Sequence, residues 1–363
     1  MMRPLSLAAL VLALLSTPGL SSAQTVLPLW PQGVPESAQT APPEKPLPNH
    51  PGVISNVSVP TLTLYRPHGQ GNGAAVLVFP GGGYHILAWN KEGLDPCHWL
   101  NSLGVTCVLV KYRIPQPPGE AGHYPADPSD LEDAQQAMRI TRAHAAQWNL
   151  DPARIGVMGF SAGANLAVLL CTHPDDDHIT TTPAASQANT QISARADFAI
   201  LAYPAYLAMP PDNTEIFPAY QPNAFTPATF IIQAENDRGY GINGLVYYRA
   251  LMQAHIPAEL HYYATGGHGF GMDPQGAPED HWSMLAAHWL RSIHVLSSQD
   301  QNDNGIHEVP NPCMMPDALT PNGRHVNPAM PGTNPPNTTN PANGPSTQNQ
   351  TPSPYPNCWH SQP

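Results

Sequence analysis

The sequence predicts an α/β domain, a mostly parallel central sheet with helices on both faces. Short unbroken apolar runs of strand length recur between residues 74 and 263. Stretches of helix length lie between them. Continuous apolar runs suit strands buried on both faces, and alternation with helices supplies the crossovers that parallel strands need.

Taken in order, the first strand is predicted over 74–79, where Ala74-Ala75-Val76-Leu77-Val78-Phe79 ends at Pro80. Runs at 105–110, 155–159, 198–202, 230–232 and 260–263 follow. Each is too short for a free-standing helix, and most are rich in β-branched or aromatic residues. Ser129-Asp130-Leu131-Glu132 reads as a capping box, because Ser and Glu three apart can satisfy each other's exposed amides. It opens a helix to about residue 148, with Leu131, Ala134, Met138 and Ala145 near one face. Further helices are predicted over 162–171 and 243–254, and an amphipathic one over 281–293 closes the domain.

The flanks differ in character. Arg3, the apolar run 5–15, the break at Pro18-Gly19 and the small residues Ser21-Ser22-Ala23 form an export signal, with cleavage expected after Ala23. The apolar run is shorter than the roughly 20 residues a membrane span needs. No Cys follows it, which argues against a lipid anchor. A secreted or periplasmic protein is therefore expected. Residues 24–60 are Pro-rich and read as an extended arm over a catalytic domain at 61–296. Residues 297–363 are mostly Pro, Asn, Thr, Gln and Ser, a low-complexity composition that reads as a disordered tail.

The 363 residues carry 14 Lys plus Arg against 26 Asp plus Glu, a net charge of −12. A nucleic-acid partner needs a basic face, and an anionic membrane surface needs the same, so neither is expected. Export permits disulfides. Of the five cysteines, Cys97 and Cys107 lie on a predicted helix and the strand after it and could meet, while Cys313 and Cys358 could close the tail. That leaves Cys171 free, as a small core residue.

The chemistry concentrates in four places. Gly159-Phe160-Ser161-Ala162-Gly163 is a G-x-S-x-G pentapeptide between a predicted strand and a predicted helix, the context that forces the serine into a sharp exposed turn. A serine hydroxyl needs a base. His268, flanked by glycines after the last strand, is the candidate, ahead of His261 and His281. The acid that orients it is expected after the penultimate strand, where Asp237 stands in the turn and Glu235 is its rival. The order Ser161, Asp237, His268 is that of strand-to-helix nucleophile folds. Pro80-Gly81-Gly82-Gly83-Tyr84 follows the first strand, and Gly82, Gly83 and Ala162 are the expected oxyanion donors. A phosphate cradle would need a following Lys-Ser/Thr, absent after these glycines. His281 with His288, and Asp175-Asp176-Asp177-His178, lack trusted metal-ligand spacing, so no metal or cofactor is expected.

These residues resemble the α/β-hydrolase superfamily, and more narrowly its secreted bacterial acetylxylan/feruloyl-esterase-like branch. The similarity lies in PGGGYHILAWNKE (80–92), WLNSLGVTCVLVKYRIP (99–115) and residues 131–166, with Leu29-Trp30-Pro31 and Gly33-Val34-Pro35 ahead of them. It spans roughly 29–295. Relatives commonly carry Gly-His where this chain has Ala164-Asn165, which implies altered packing and retained catalysis. The acid turn commonly has two adjacent Asp followed by Pro, against Asn236-Asp237-Arg238 here. The resemblance implies a serine esterase acting on an acetyl or aryl ester of plant polysaccharide. Tyr84 and Tyr206 are the candidate substrate contacts, although the 203–225 loop with Tyr206, Phe217 and Tyr220 either lines the acyl pocket or covers the core. A serine peptidase or lipase of the same fold, and a silent carbohydrate-binding scaffold, are the alternatives.

Overall fold

A computed structural model describes residues 25–34, 44–47, 49–114, 129–175, 191–210 and 214–297. The expected export signal, the expected Cys313–Cys358 pairing and the tail beyond 297 lie outside them. Eight strands form the main sheet among the described residues: β1 (Thr25–Pro28), β2 (Thr61–Tyr65), β3 (Ala75–Phe79), β4 (Thr106–Lys111), β5 (Ile155–Phe160), β6 (Phe198–Ala202), β7 (Ala228–Ala234) and β8 (Ala258–Tyr263). Their spatial order is β1-β2-β4-β3-β5-β6-β7-β8. β2 runs antiparallel to both β1 and β4, and every other pairing is parallel.

The period of two along β3 explains its unbroken apolar sequence. Ala75, Leu77 and Phe79 enter one core and Val76 and Val78 the other, so both faces are dry. The first core is roofed by α2 (Ser129–Ala143), α4 (Ala162–Thr172) and α5 (Gly241–Gln253). The second is covered by α1 (Asp95–Ser102) and α6 (Trp282–Ser292), through Cys97, Leu100, Trp282 and Leu290. The helix expected to run on to residue 148 breaks at His144, leaving a short α3 (Ala145–Trp148) that ends at Asn149 in left-handed backbone. Cys97 and Cys107 form a disulfide between α1 and β4, with 5.1 Å between their Cα atoms. Cys171 is buried in the first core, and burial pushes its thiol up to about 12, so it is an inert core group.

The Pro-rich arm contains more order than its composition suggests. β1 pairs with β2, and Ile54–Ser55 bridges Lys45–Pro46 to Ile86–Leu87 in a small antiparallel sheet. Leu29 and Trp30 are core residues, and the Trp30 indole donates to Asp133 at 2.6 Å. β2 itself was not among the expected strands. Its Leu62 and Leu64 alternate into the first core, a period that is easy to miss over five residues.

Candidate active site

Ser161 stands between β5 and α4 with φ 51° and ψ −117°, backbone that a non-glycine residue adopts only under constraint. Close approach supplies the constraint. A Cβ on Gly163 would lie 2.1 Å from the Phe79 carbonyl oxygen, and one on Gly159 would lie 2.3 Å from that of Gly163. Helix and strand can therefore meet this closely only without side chains at those two positions. The Ser161 amide donates to the Ala202 carbonyl at 3.0 Å, and its own carbonyl accepts from Ala164 and Asn165. These bonds hold the turn while the hydroxyl sits above the N-terminus of α4, where the helix dipole favours negative charge.

The structure brings the three expected residues into one line. Ser161 Oγ is 2.7 Å from His268 Nε2, and His268 Nδ1 is 2.7 Å from Asp237 Oδ2. The Asp237 side chain is 2% exposed. Its carboxylate also accepts from the Tyr240 amide at 3.1 Å and from the Gln233 side-chain amide at 3.2 Å. Glu235 is exposed and lies outside this chain of bonds. The rival histidines are elsewhere: His261 is bonded to Glu259, and His281 precedes α6. Asn236 accepts from the Gly267 amide at 2.8 Å, which ties the acid turn to the histidine loop.

The glycine loop adjoins Ser161, since a Cβ on Gly81 would lie 2.8 Å from Ser161 Cβ. Its carbonyls are turned inward. That of Gly81 accepts from Ala88, and that of Gly82 accepts from His85 and Ile86. Gly82 needs φ +136°, and a Cβ there would strike the Ile86 carbonyl at 2.2 Å. Among the described residues, no group accepts from the Gly82 or Gly83 amide, so both donors remain unspent.

Tyr206 closes one side. Its hydroxyl lies 3.5 Å from where a Gly83 Cβ would stand and 3.2 Å from the Tyr240 hydroxyl. The Tyr240 ring in turn packs 4.8 Å from the His268 imidazole. Tyr84 lies one layer back: it is buried, stacks on Tyr206 at 6.1 Å, and donates its hydroxyl to Asn165 at 2.7 Å. Asn165 thereby links α4 to the wall, and it also donates to the Ala205 carbonyl. Tyr220 is buried and Phe217 packs against the first core, so this part of the 203–225 loop covers the core while Tyr206 faces the site.

Sequence reasoning missed Glu92, Tyr203, Gln233 and Tyr240. Glu92 is buried beneath the loop, and burial raises its carboxyl above the usual range, an effect its hydrogen bonds partly offset. The signal was visible as one acid inside the quoted stretch 80–92, with nothing in the sequence to give its direction.

A family model described as BD-FAE matches residues 62–205. The chain is 30% identical over 246 residues to an acetylxylan esterase of Xylanibacter ruminicola, covering 61% of this chain and 46% of the relative. It is 28% identical over 229 residues to endo-1,4-beta-xylanase B of Butyrivibrio fibrisolvens, covering 58% and 34%. It thus spans less than half the length of these curated relatives. Among solved structures, the acetyl ester-xyloside bifunctional hydrolase from Caldicellulosiruptor lactoaceticus is 30% identical with a TM-score of 0.56, over 75% of this chain and 97% of that one. A thermophilic esterase of Thermogutta terrifontis, 22% identical with a TM-score of 0.52 over 69% of this chain and 96% of that one, shares the fold. The chain belongs to the α/β-hydrolase superfamily, and within it resembles the acetylxylan-esterase-like branch.

Proposed function

We propose that the chain is a secreted or periplasmic serine carboxylic-ester hydrolase that removes acetyl groups from an acylated plant polysaccharide. The observation that carries this reading is the unbroken relay from Ser161 through His268 to buried Asp237, beside two unspent glycine amides. In the mechanism, His268 Nε2 takes the Ser161 proton as Oγ bonds to the ester carbonyl carbon. Asp237 keeps the proton on Nδ1 and stabilises the imidazolium that forms. The amides of Gly82, Gly83 and Ala162 receive the developing oxyanion, which is usually the largest electrostatic contribution. The imidazolium then gives its proton to the leaving sugar oxygen, and an acyl-serine remains. Water, deprotonated by His268, releases the acid and restores Ser161.

Relatives named for acetylxylan and acetyl ester-xyloside support the choice of ester. Tyr206, backed by Tyr84 and Tyr240, stands as a wall beside the oxyanion loop and suits a small acyl group. The test is hydrolysis of p-nitrophenyl acetate by wild type and Ser161→Ala, followed by acetic acid release from acetylated xylan. The variant should lose about 10⁴-fold or more in kcat. Equal rates in the two proteins would remove the hydrolase reading and favour a silent scaffold. A preference for long acyl chains over acetate would favour a lipase.

A further inference from the structure

We propose that Glu92 is a positioning residue, one buried carboxylate that fixes both the oxyanion loop and the wall against which the catalytic base packs. The inference rests on the hydrolase reading above. Glu92 occupies the turn Asn90–Leu94 and is 5% exposed. Its Oε2 accepts from the Gly81 amide at 2.9 Å, and its Oε1 accepts from the Tyr203 hydroxyl at 2.9 Å.

Each partner leads directly to a working part. Gly81 precedes the two expected donor glycines, and Tyr112 holds the adjoining Pro80 carbonyl at 2.5 Å. The peptide entering the loop is therefore clamped at both of its polar atoms. Tyr203 follows β6 in positive-φ backbone, and its ring meets the His268 imidazole edge-on at 5.4 Å. A buried acid is costly unless its charge is compensated, and two inward-pointing donors are the compensation found here. The charged and titratable groups facing Glu92 are Tyr203 after β6, Tyr112 after β4, His268 after β8 and Lys91 on its own turn. His268 is the one whose charge changes during turnover. A carboxylate near it favours the imidazolium of the transition state, in addition to Asp237.

Glu92→Gln separates geometry from charge. A glutamine oxygen still accepts from Gly81, and its amide donates to Tyr203 once the phenol turns round. We expect kcat for p-nitrophenyl acetate to fall about tenfold with KM changed less than about threefold, the signature of an interaction made in the transition state. We also expect the acidic limb of kcat/KM against pH to move downward by about half a unit, because a negative charge near the base is gone. A purely structural residue would leave that limb in place. Tyr203→Phe retains the charge and the Gly81 bond, so it should lower kcat severalfold without moving the limb. Wild-type kcat and an unmoved limb in Glu92→Gln overturn the proposal. If that variant fails to fold by circular dichroism, wild-type kcat in Tyr203→Phe overturns it instead. A Ser161→Ala control that is inactive beside an unaffected Glu92→Gln refutes only the positioning role, whereas an active control refutes the hydrolase reading and this proposal with it.

Discussion

Asp237 and Glu235 stand two residues apart in one turn, yet their environments assign them different tasks. Asp237 is buried and accepts from an imidazole, a backbone amide and a side-chain amide, so its carboxylate is held rigidly and kept from water. Glu235 faces solvent, where it can neither orient a base nor gain from low dielectric. Asp237→Asn should therefore cost about 10⁴-fold in kcat, because an amide favours the wrong imidazole tautomer. Glu235→Gln should stay within about twofold of wild type on p-nitrophenyl acetate, and a larger loss there would reverse the assignment. The positions of Ser161, Asp237 and His268 were legible because each sits at a fixed place relative to a strand end. Glu92 and Tyr203 were not, since their bond joins segments 111 residues apart, and a lone buried acid carries no local pattern.

At the scale of elements, the central strands were the most legible, and β6 coincides with its expected 198–202 run. Strands buried on both faces announce themselves by apolar content alone. β1 and β2 did not, because an edge position leaves β1 half-exposed and β2 is recognisable mainly through its partners. In α2, Glu132 accepts from Arg113, and Asp133 accepts from both Arg113 and Trp30. The Arg113 side chain is only 2% exposed, and the neighbouring acids hold its guanidinium charged against the cost of burial. Such a network joins the N-terminal arm, β4 and α2, and removing one partner strands the others. Arg113→Met should lower the unfolding free energy by about 3–5 kcal/mol. Guanidinium titration followed by tryptophan fluorescence measures this, and a loss below about 1 kcal/mol would show that the network orders the arm without stabilising it.

At the scale of the whole molecule, the proposed export and the stability of the domain meet in the disulfide. Proposed cleavage after Ala23 leaves Gln24 alone ahead of β1, so a mature chain retains the whole edge strand that begins at Thr25. The same proposed route would deliver the chain to an oxidising compartment, where Cys97 and Cys107 can pair across α1 and β4. Closing a loop of sequence separation 10 removes conformational freedom from the unfolded chain, worth about 3 kcal/mol in the entropic account. For a domain of this size that corresponds to roughly 6–10 °C in melting temperature. Protein recovered from the periplasm or medium should therefore begin at Gln24 by mass spectrometry. Its melting temperature should fall by that amount on reduction, and Cys97→Ala/Cys107→Ala should match the reduced protein. Relay geometry depends on β5, β7 and β8 rather than on α1, so activity at 25 °C should survive reduction. An exported chain with both thiols free, or one whose melting is indifferent to reductant, would sever the link between compartment and stability.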